Sequence, residues 1–374
     1  MDGQGPTWRT GRNGAIDAMR GVAVLLVMAG HALVPGFRSA HFVGVTLFFL
    51  LSGFLITTLL AEEMATSGGI ALRRFYLRRG LRIVPASIVA IGAWTAYDKW
   101  AGVGFPSRDA VASLLNVANW PRLAGSDMGT LGQMWSLSFQ EQFYLLWPLA
   151  LLASWRIGRR WPVAIALIVG LASAIDRFWL ASLLGPVPRV EFGPDTRIDA
   201  LLFGSVVALS IGHLWLPRLR RWSPWIAAAS LAAILLLGTD WWNSDLLFFK
   251  LGIPSAEGLG IALILAAVAG GDRLWLAQRP LIAVGRVSYG LFLWHYPIMR
   301  VVEPRLFWLG QWPAIVIAFG LSFLAAWLSW RLIEQPFMRL RSRILPRPRG
   351  AAPSDDPEPA ENPAQSENPG LATS

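Results

Sequence analysis

Long apolar runs, each closed by a short polar stretch rich in arginine, recur from Ile16 to Ile333. A helix needs about 20 such residues to cross a hydrocarbon layer about 30 Å thick. On that basis ten spans are predicted, at about 16–35, 43–61, 82–98, 134–154, 161–180, 197–214, 224–240, 246–269, 281–302 and 312–333. Two carry interruptions: Asp176-Arg177 cuts the fifth, and Lys250 stands near the start of the eighth. In lipid the backbone must satisfy its own polar groups, so the expected fold is an all-α polytopic membrane bundle of about ten helices.

Charge orients the bundle. With the N-terminus in the cytoplasm, the inside loops collect Arg73, Arg74, Arg78 and Arg79, then Arg156, Arg159 and Arg160, then Arg218, Arg220 and Arg221, then Arg273 and Arg279. The outside loops keep only scattered cations such as Arg38, Arg122, Arg189 and Arg305. This positive-inside bias predicts that both termini are cytoplasmic and that the protein is multi-pass in the bacterial inner membrane. It also absorbs the net charge of +10, which would otherwise suggest a nucleic-acid partner. None is expected.

Residues 1–14 read as a hydrophilic leader and not a cleavable signal, 15–340 as the membrane domain, and the Pro- and acid-rich 341–374 as a disordered tail. The chain has no cysteine, which removes thiolate nucleophiles and thiolate metal sites.

Within the first span, Arg20 and His31 stand eleven residues apart. That spacing puts them within about 20° of one helix face and about 16 Å apart along the axis. One stripe thus carries a fixed cation towards one membrane surface and a titratable base towards the other. An ionisable group in a bilayer is costly and usually lines a polar cavity, which favours a functional His31, whereas Arg20 alone would read as snorkelling to head groups. By depth, His31, Glu141, Asp199 and His295 share an outer level, and Arg20, Arg78, Arg79, Arg82 and Arg286 an inner one. Guanidinium groups suit phosphate, and a His with a carboxylate suits general-base catalysis. Structural alternatives stand beside these: head-group contact for Arg73 to Arg82, an interhelical ion pair for Glu141, an arginine partner for Asp199, and an aromatic belt with Trp294 and Tyr296 for His295. His41 and His213, near span ends, gain nothing from depth. The 99–133 loop offers Asn116, Asn119, Trp120 and Pro121 to line a mouth.

Seven stretches then stand in order: IDAMRG with Arg20 and His31, GVTLFFLLSGFLIT (44–57), FYLRRGLRIVP (75–85), MWSLSFQEQFYLLWP (134–148), RIDALLFG (197–204), GRVSYGLFLWHYP (285–297) and IEQPF (333–337). Together they resemble the acyltransferase 3 family of integral membrane O-acyltransferases, which includes O-antigen and exopolysaccharide O-acetylases, Nod-factor acetylases and macrolide O-acyltransferases. The resemblance implies transfer of an acyl group, commonly from acetyl-CoA as co-substrate, to a hydroxyl of a carbohydrate-containing acceptor, with no bound cofactor or metal. It places the family's Arg and His on Arg20 and His31, its basic segment on Arg78, Arg79 and Arg82, and its Trp-Ser…Glu…Phe-Tyr block on Trp135, Ser136, Glu141, Phe143 and Tyr144. Thr46 departs from the family, many members having Asp there, and Ala18 replaces a frequent Gly. With no esterase-like region after the last span, the longer two-part members are not the expected pattern.

The joined expectation is that Arg78, Arg79, Arg82 and Arg286 hold acyl-CoA, while His31, oriented by Glu141, activates the hydroxyl. Arg20 completes the catalytic set. Ser52, Ser136 and Tyr289 are candidates for oxyanion stabilisation, and Trp135, Tyr144, Arg197, Asp199 and His295 for substrate contact. The rival readings are a transporter or a transmembrane acyl carrier without transferase activity.

Overall fold

A computed structural model describes residues 13–344, apart from 33, 35–36, 38, 212–215, 239–244 and 271–272. The leader before residue 13, the Pro35-Gly36 break, His213 and the tail beyond 344 lie outside the described residues. Among the described residues every regular element is helical. The chain runs through α1 (Gly14–His31), α2 (Ala40–Ser67), α3 (Leu72–Ala101), α4 (Pro106–Leu114), α5 (Asn119–Leu123), α6 (Met134–Ile157), α7 (Trp161–Leu184) and α8 (Pro188–Phe192). It continues through α9 (Pro194–Ser210), α10 (Leu216–Gly238), α11 (Asp245–Leu247), α12 (Ile253–Gly270), α13 (Arg279–Arg286), α14 (Ser288–Leu306), α15 (Gln311–Ser329) and α16 (Gln335–Ile344).

Six segments are long and apolar enough to cross a membrane: α1, α2, α3, α7, 248–270 and 311–344. The protein is a multi-pass membrane protein. The spans expected at 134–154, 197–214 and 224–240 fall on α6, α9 and α10, which are helices below that measure of length and hydropathy. The span expected at 281–302 is two helices, α13 and α14, meeting at Val287.

The doubt over the fifth span is corrected by α7, which runs unbroken for 24 residues. Its buried stripe is Pro162, Ala166, Gly170, Ser173, Arg177 and Ala181, small residues at helical spacing with one cation among them. Ile168, Leu171, Ile175, Trp179 and Leu183 face outward. A helix apolar outside and polar inside suits lipid as its solvent. Arg177 does not break the helix because it points into the bundle and meets an acid there. Likewise Lys250 is accommodated in a short π-helical segment, Phe248–Gly252, that leads into α12.

The N-terminal end of α1 is fixed by Asn13, whose Oδ1 accepts from the amides of Ala15 and Ile16 at 3.0 and 3.3 Å. At the centre α2 packs on α1, α6, α9 and α12. Its contact with α9 is made through glycine: a Cβ on Gly53 would stand 1.8 Å from the Leu201 carbonyl oxygen, and one on Gly204 2.0 Å from that of Leu50. Backbones at that separation admit no larger residue on either side.

Candidate functional site

At the His31 end of α1 the helices leave a cavity of about 170 Å³. His31, His41, Phe42 and Val45 line one side, Gln133, Trp135, Ser136, Phe292 and Tyr296 the other, and Arg122 and Glu191 also border it. His31 is the last residue of α1 and His41 lies one residue inside α2, so the reversal between those helices puts two imidazoles side by side, centroids 5.1 Å apart. His295 reaches them from α14, its Nε2 lying 3.1 Å from His31 Nδ1. Tyr296 stands edge-on to His31 with centroids 4.9 Å apart. Ser136 donates to the Gln133 carbonyl at 3.3 Å, and Gln133 Nε2 donates to that of Leu293 at 3.3 Å. Arg122 Nη1 donates to the Asp127 carbonyl at 3.1 Å, and the guanidinium lies over the Phe192 ring, 4.3 Å from its centroid.

A second polar group gathers around the Arg20 end. Arg79 Nε donates to Glu141 Oε2 at 2.8 Å, and Nη2 donates to the other oxygen of that carboxylate. The same guanidinium covers Tyr144, 3.4 Å from its centroid. Tyr144 accepts from Gln140 at 3.2 Å and is hydrogen-bonded to Ser52. Tyr289 donates to the Ile83 carbonyl at 2.9 Å and lies 2.7 Å from the Ser87 hydroxyl. Glu334, only 7% exposed, faces the charges of Arg82 and Arg20. Arg286 lies 3.9 Å from Asp17.

Aromatic rings separate the two groups. Along α2 the order is Phe42 and Val45 in the cavity, then Phe48 and Phe49, then Ser52. Along α6 it is Trp135 and Ser136, then Phe139, then Glu141 and Tyr144. Phe49 meets Trp135 and Phe139 edge-on at 6.1 and 5.3 Å, and Phe48 meets Phe292 at 6.4 Å.

A third group is buried where α7, α9 and α12 converge on α2. Arg177 is paired with Asp199, donates to the Thr196 carbonyl at 3.1 Å, and has Nη2 3.7 Å from Glu257 Oε1. Arg197 Nη2 donates to the Thr46 hydroxyl at 3.2 Å. Thus the hydroxyl found here in place of an aspartate meets an arginine, while Glu257 brings a carboxylate to the same cluster from another helix.

Three expectations are corrected. Glu141 is committed to Arg79 and does not orient His31; the ring's polar neighbours are His295, His41 and Tyr296. Asp199 is not level with the histidines in one site but belongs to the Arg177 network, as the ion-pair alternative had it. Ser52, Tyr144 and Tyr289 keep company with the arginines, which leaves Ser136 and Trp135 as the sequence candidates that line the cavity with His31. Asn119, offered for a mouth, instead accepts from Gln142 at 2.8 Å. The cavity residues missed from sequence are His41, Arg122, Gln133, Glu191 and Tyr296, and at the other end Glu334, whose motif IEQPF was the available signal.

A multi-pass helical bundle with a histidine-lined cavity at one end of its first helix defines an integral membrane protein with a polar site among its helices. The family described as acyltransferase domain matches residues 13–331, and the chain belongs to it. Among its relatives, the peptidoglycan O-acetyltransferase OatA of Listeria monocytogenes is 31% identical over 358 residues, covering 87% of this chain and 56% of the relative. The O-acetyltransferase OatA of Staphylococcus aureus is 30% identical over 364 residues, covering 90% and 59%. The chain therefore spans a little over half the length of these relatives. No solved structure matches it.

Proposed function

We propose that this membrane acyltransferase moves an acetyl group from acetyl-CoA to a hydroxyl of a cell-envelope glycan. The observation that carries the reading is His31, a base lining a partly open cavity, with Arg20 about 16 Å further along the same helix and Arg79 and Arg82 gathered near that end. The acceptor class draws on the activities of the relatives, O-acetylation and in one case that of peptidoglycan. Rings that stack on sugar faces (Trp135, Phe292, Tyr296) beside hydrogen-bonding groups (Gln133, Ser136, Arg122) suit such an acceptor.

In this reading Arg78, Arg82 and Arg286 hold the nucleotide phosphates, and Arg79, already held by Glu141, presents its remaining edge to the same anion. The pantetheine arm passes the aromatic layer and delivers the thioester to the cavity. The acceptor oxygen attacks the thioester carbon while His31 takes its proton; the new C–O bond forms, the C–S bond breaks, and the proton passes from His31 to the departing sulfur. Ser136 is a cavity hydroxyl that meets the developing oxyanion by turning from the Gln133 carbonyl to which it now donates. Both termini are cytoplasmic and the donor enters from that side, so the arginines face the cytoplasm.

The test supplies radiolabelled acetyl-CoA to membranes containing the wild type or His31→Ala. Transfer predicts an alkali-labile O-ester on envelope glycan that falls by more than about 10²-fold in the variant at equal protein level. A transporter or acyl carrier predicts no ester in either case.

A further inference from the structure

The pairing of His31 with the buried His295 also specifies which nitrogen acts. His295 is completely buried, and its Nδ1 lies 2.9 Å from the Leu291 carbonyl oxygen. A carbonyl only accepts, so Nδ1 carries the hydrogen. The Phe292 carbonyl also bonds the ring, and beside it stand the rings of His31, Phe292 and Tyr296. Among the described residues no carboxylate contacts it, so nothing there balances a cation and the ring is neutral. Its Nε2 is therefore a bare lone pair, and the atom 3.1 Å away, His31 Nδ1, must be the donor. That leaves Nε2 of His31 as the ring's single proton acceptor, on a residue that lines the cavity.

We infer that His295 is a positioning residue that holds His31 in its Nδ1–H tautomer, doing with a neutral imidazole what a carboxylate does for other catalytic histidines. The chain of bonds runs from the Leu291 carbonyl through His295 to His31, each ring donating from Nδ1, and the Val27 carbonyl one turn back on α1 also bonds the His31 ring. When His31 accepts the hydroxyl proton on Nε2, the Nδ1–H stays bonded to His295, which orients the cation without neutralising it. This rests on His31 being the base, and it assigns to His295 a role other than substrate contact.

Two measurements decide it. In purified protein carrying ¹⁵N-histidine, long-range ¹⁵N–¹H spectra assigned by single substitution of the four histidines report each tautomer directly. His31 and His295 are both expected as Nδ1–H; His31 as Nε2–H overturns the inference without any catalytic assay. In steady-state transfer, His295→Leu should lower kcat by about 10²-fold or more with the KM for acetyl-CoA within about 2-fold, because it removes orientation and not binding. His295→Gln, whose amide oxygen can accept from Nδ1, should recover to within about 10-fold of wild type. An undiminished kcat in His295→Leu, or a Gln variant no better than Leu, overturns the inference. If His31→Ala retains transfer, the base itself is misassigned; if His31→Ala is dead and His295→Leu is fully active, only the role of His295 falls.

Discussion

Two regions of this bundle bury polar side chains, and they do so in opposite ways. Around His31 the groups are mostly uncharged rings and amides turned towards an open volume. Around Arg177 two guanidinium groups and two carboxylates, from Arg177, Arg197, Asp199 and Glu257, are turned on each other with no more than 5% of any side chain exposed. Polar groups that face space can meet a substrate, whereas charges that face one another hold helices in register. The proposed chemistry accordingly uses the mostly uncharged cavity and leaves a structural role to the charged network.

The largest effect that would break this contrast is loss of one charge in the network. Arg177→Met leaves Asp199 and Glu257 short of a buried counter-charge and should cost about 3–5 kcal/mol, read as lost folded yield by size exclusion in detergent. The double change with Asp199→Leu should recover part of that yield, since Arg197 and Glu257 still balance. Unchanged yield in Arg177→Met would put the network in the functional class. Next comes Gly53→Ala, whose added methyl collides with the Leu201 carbonyl and should cost about 1–3 kcal/mol, seen as a lower Tm with transfer per folded molecule retained. Smallest is Arg300→Ala. The Arg300 and Asp127 side chains are 38% and 60% exposed, so the change should move stability by less than about 1 kcal/mol.

Much of the fold was legible because apolar length and arginine-rich loops report helices directly. The spacing within α1 was legible too, and it put His31 and Arg20 at opposite ends of one stripe. The level of one helix against another was not. Glu141, read as level with His31, lies beyond the aromatic layer against Arg79, and Asp176-Arg177 looked like a break because the acid that receives Arg177 lies 22 residues away in the chain. Glu257 was hidden inside an apolar run, with nothing local to mark it. Arg122 and Glu191 reach the cavity from the short helices α5 and α8, in connections that return over the bundle end, which periodicity cannot foresee. Glu334 sat in a quoted motif, yet its link to Arg20 and Arg82 needed the packing of distant helices.

The proposed function divides tasks between the two ends of α1, and measuring binding apart from turnover tests that division most directly. Isothermal titration of acetyl-CoA into nanodisc-embedded wild type, His31→Ala and Arg78→Ala/Arg82→Ala should give wild-type affinity for the histidine variant and at least about 10-fold weaker binding for the arginine variant. Equal affinity in all three, or loss of binding with His31→Ala alone, would contradict it.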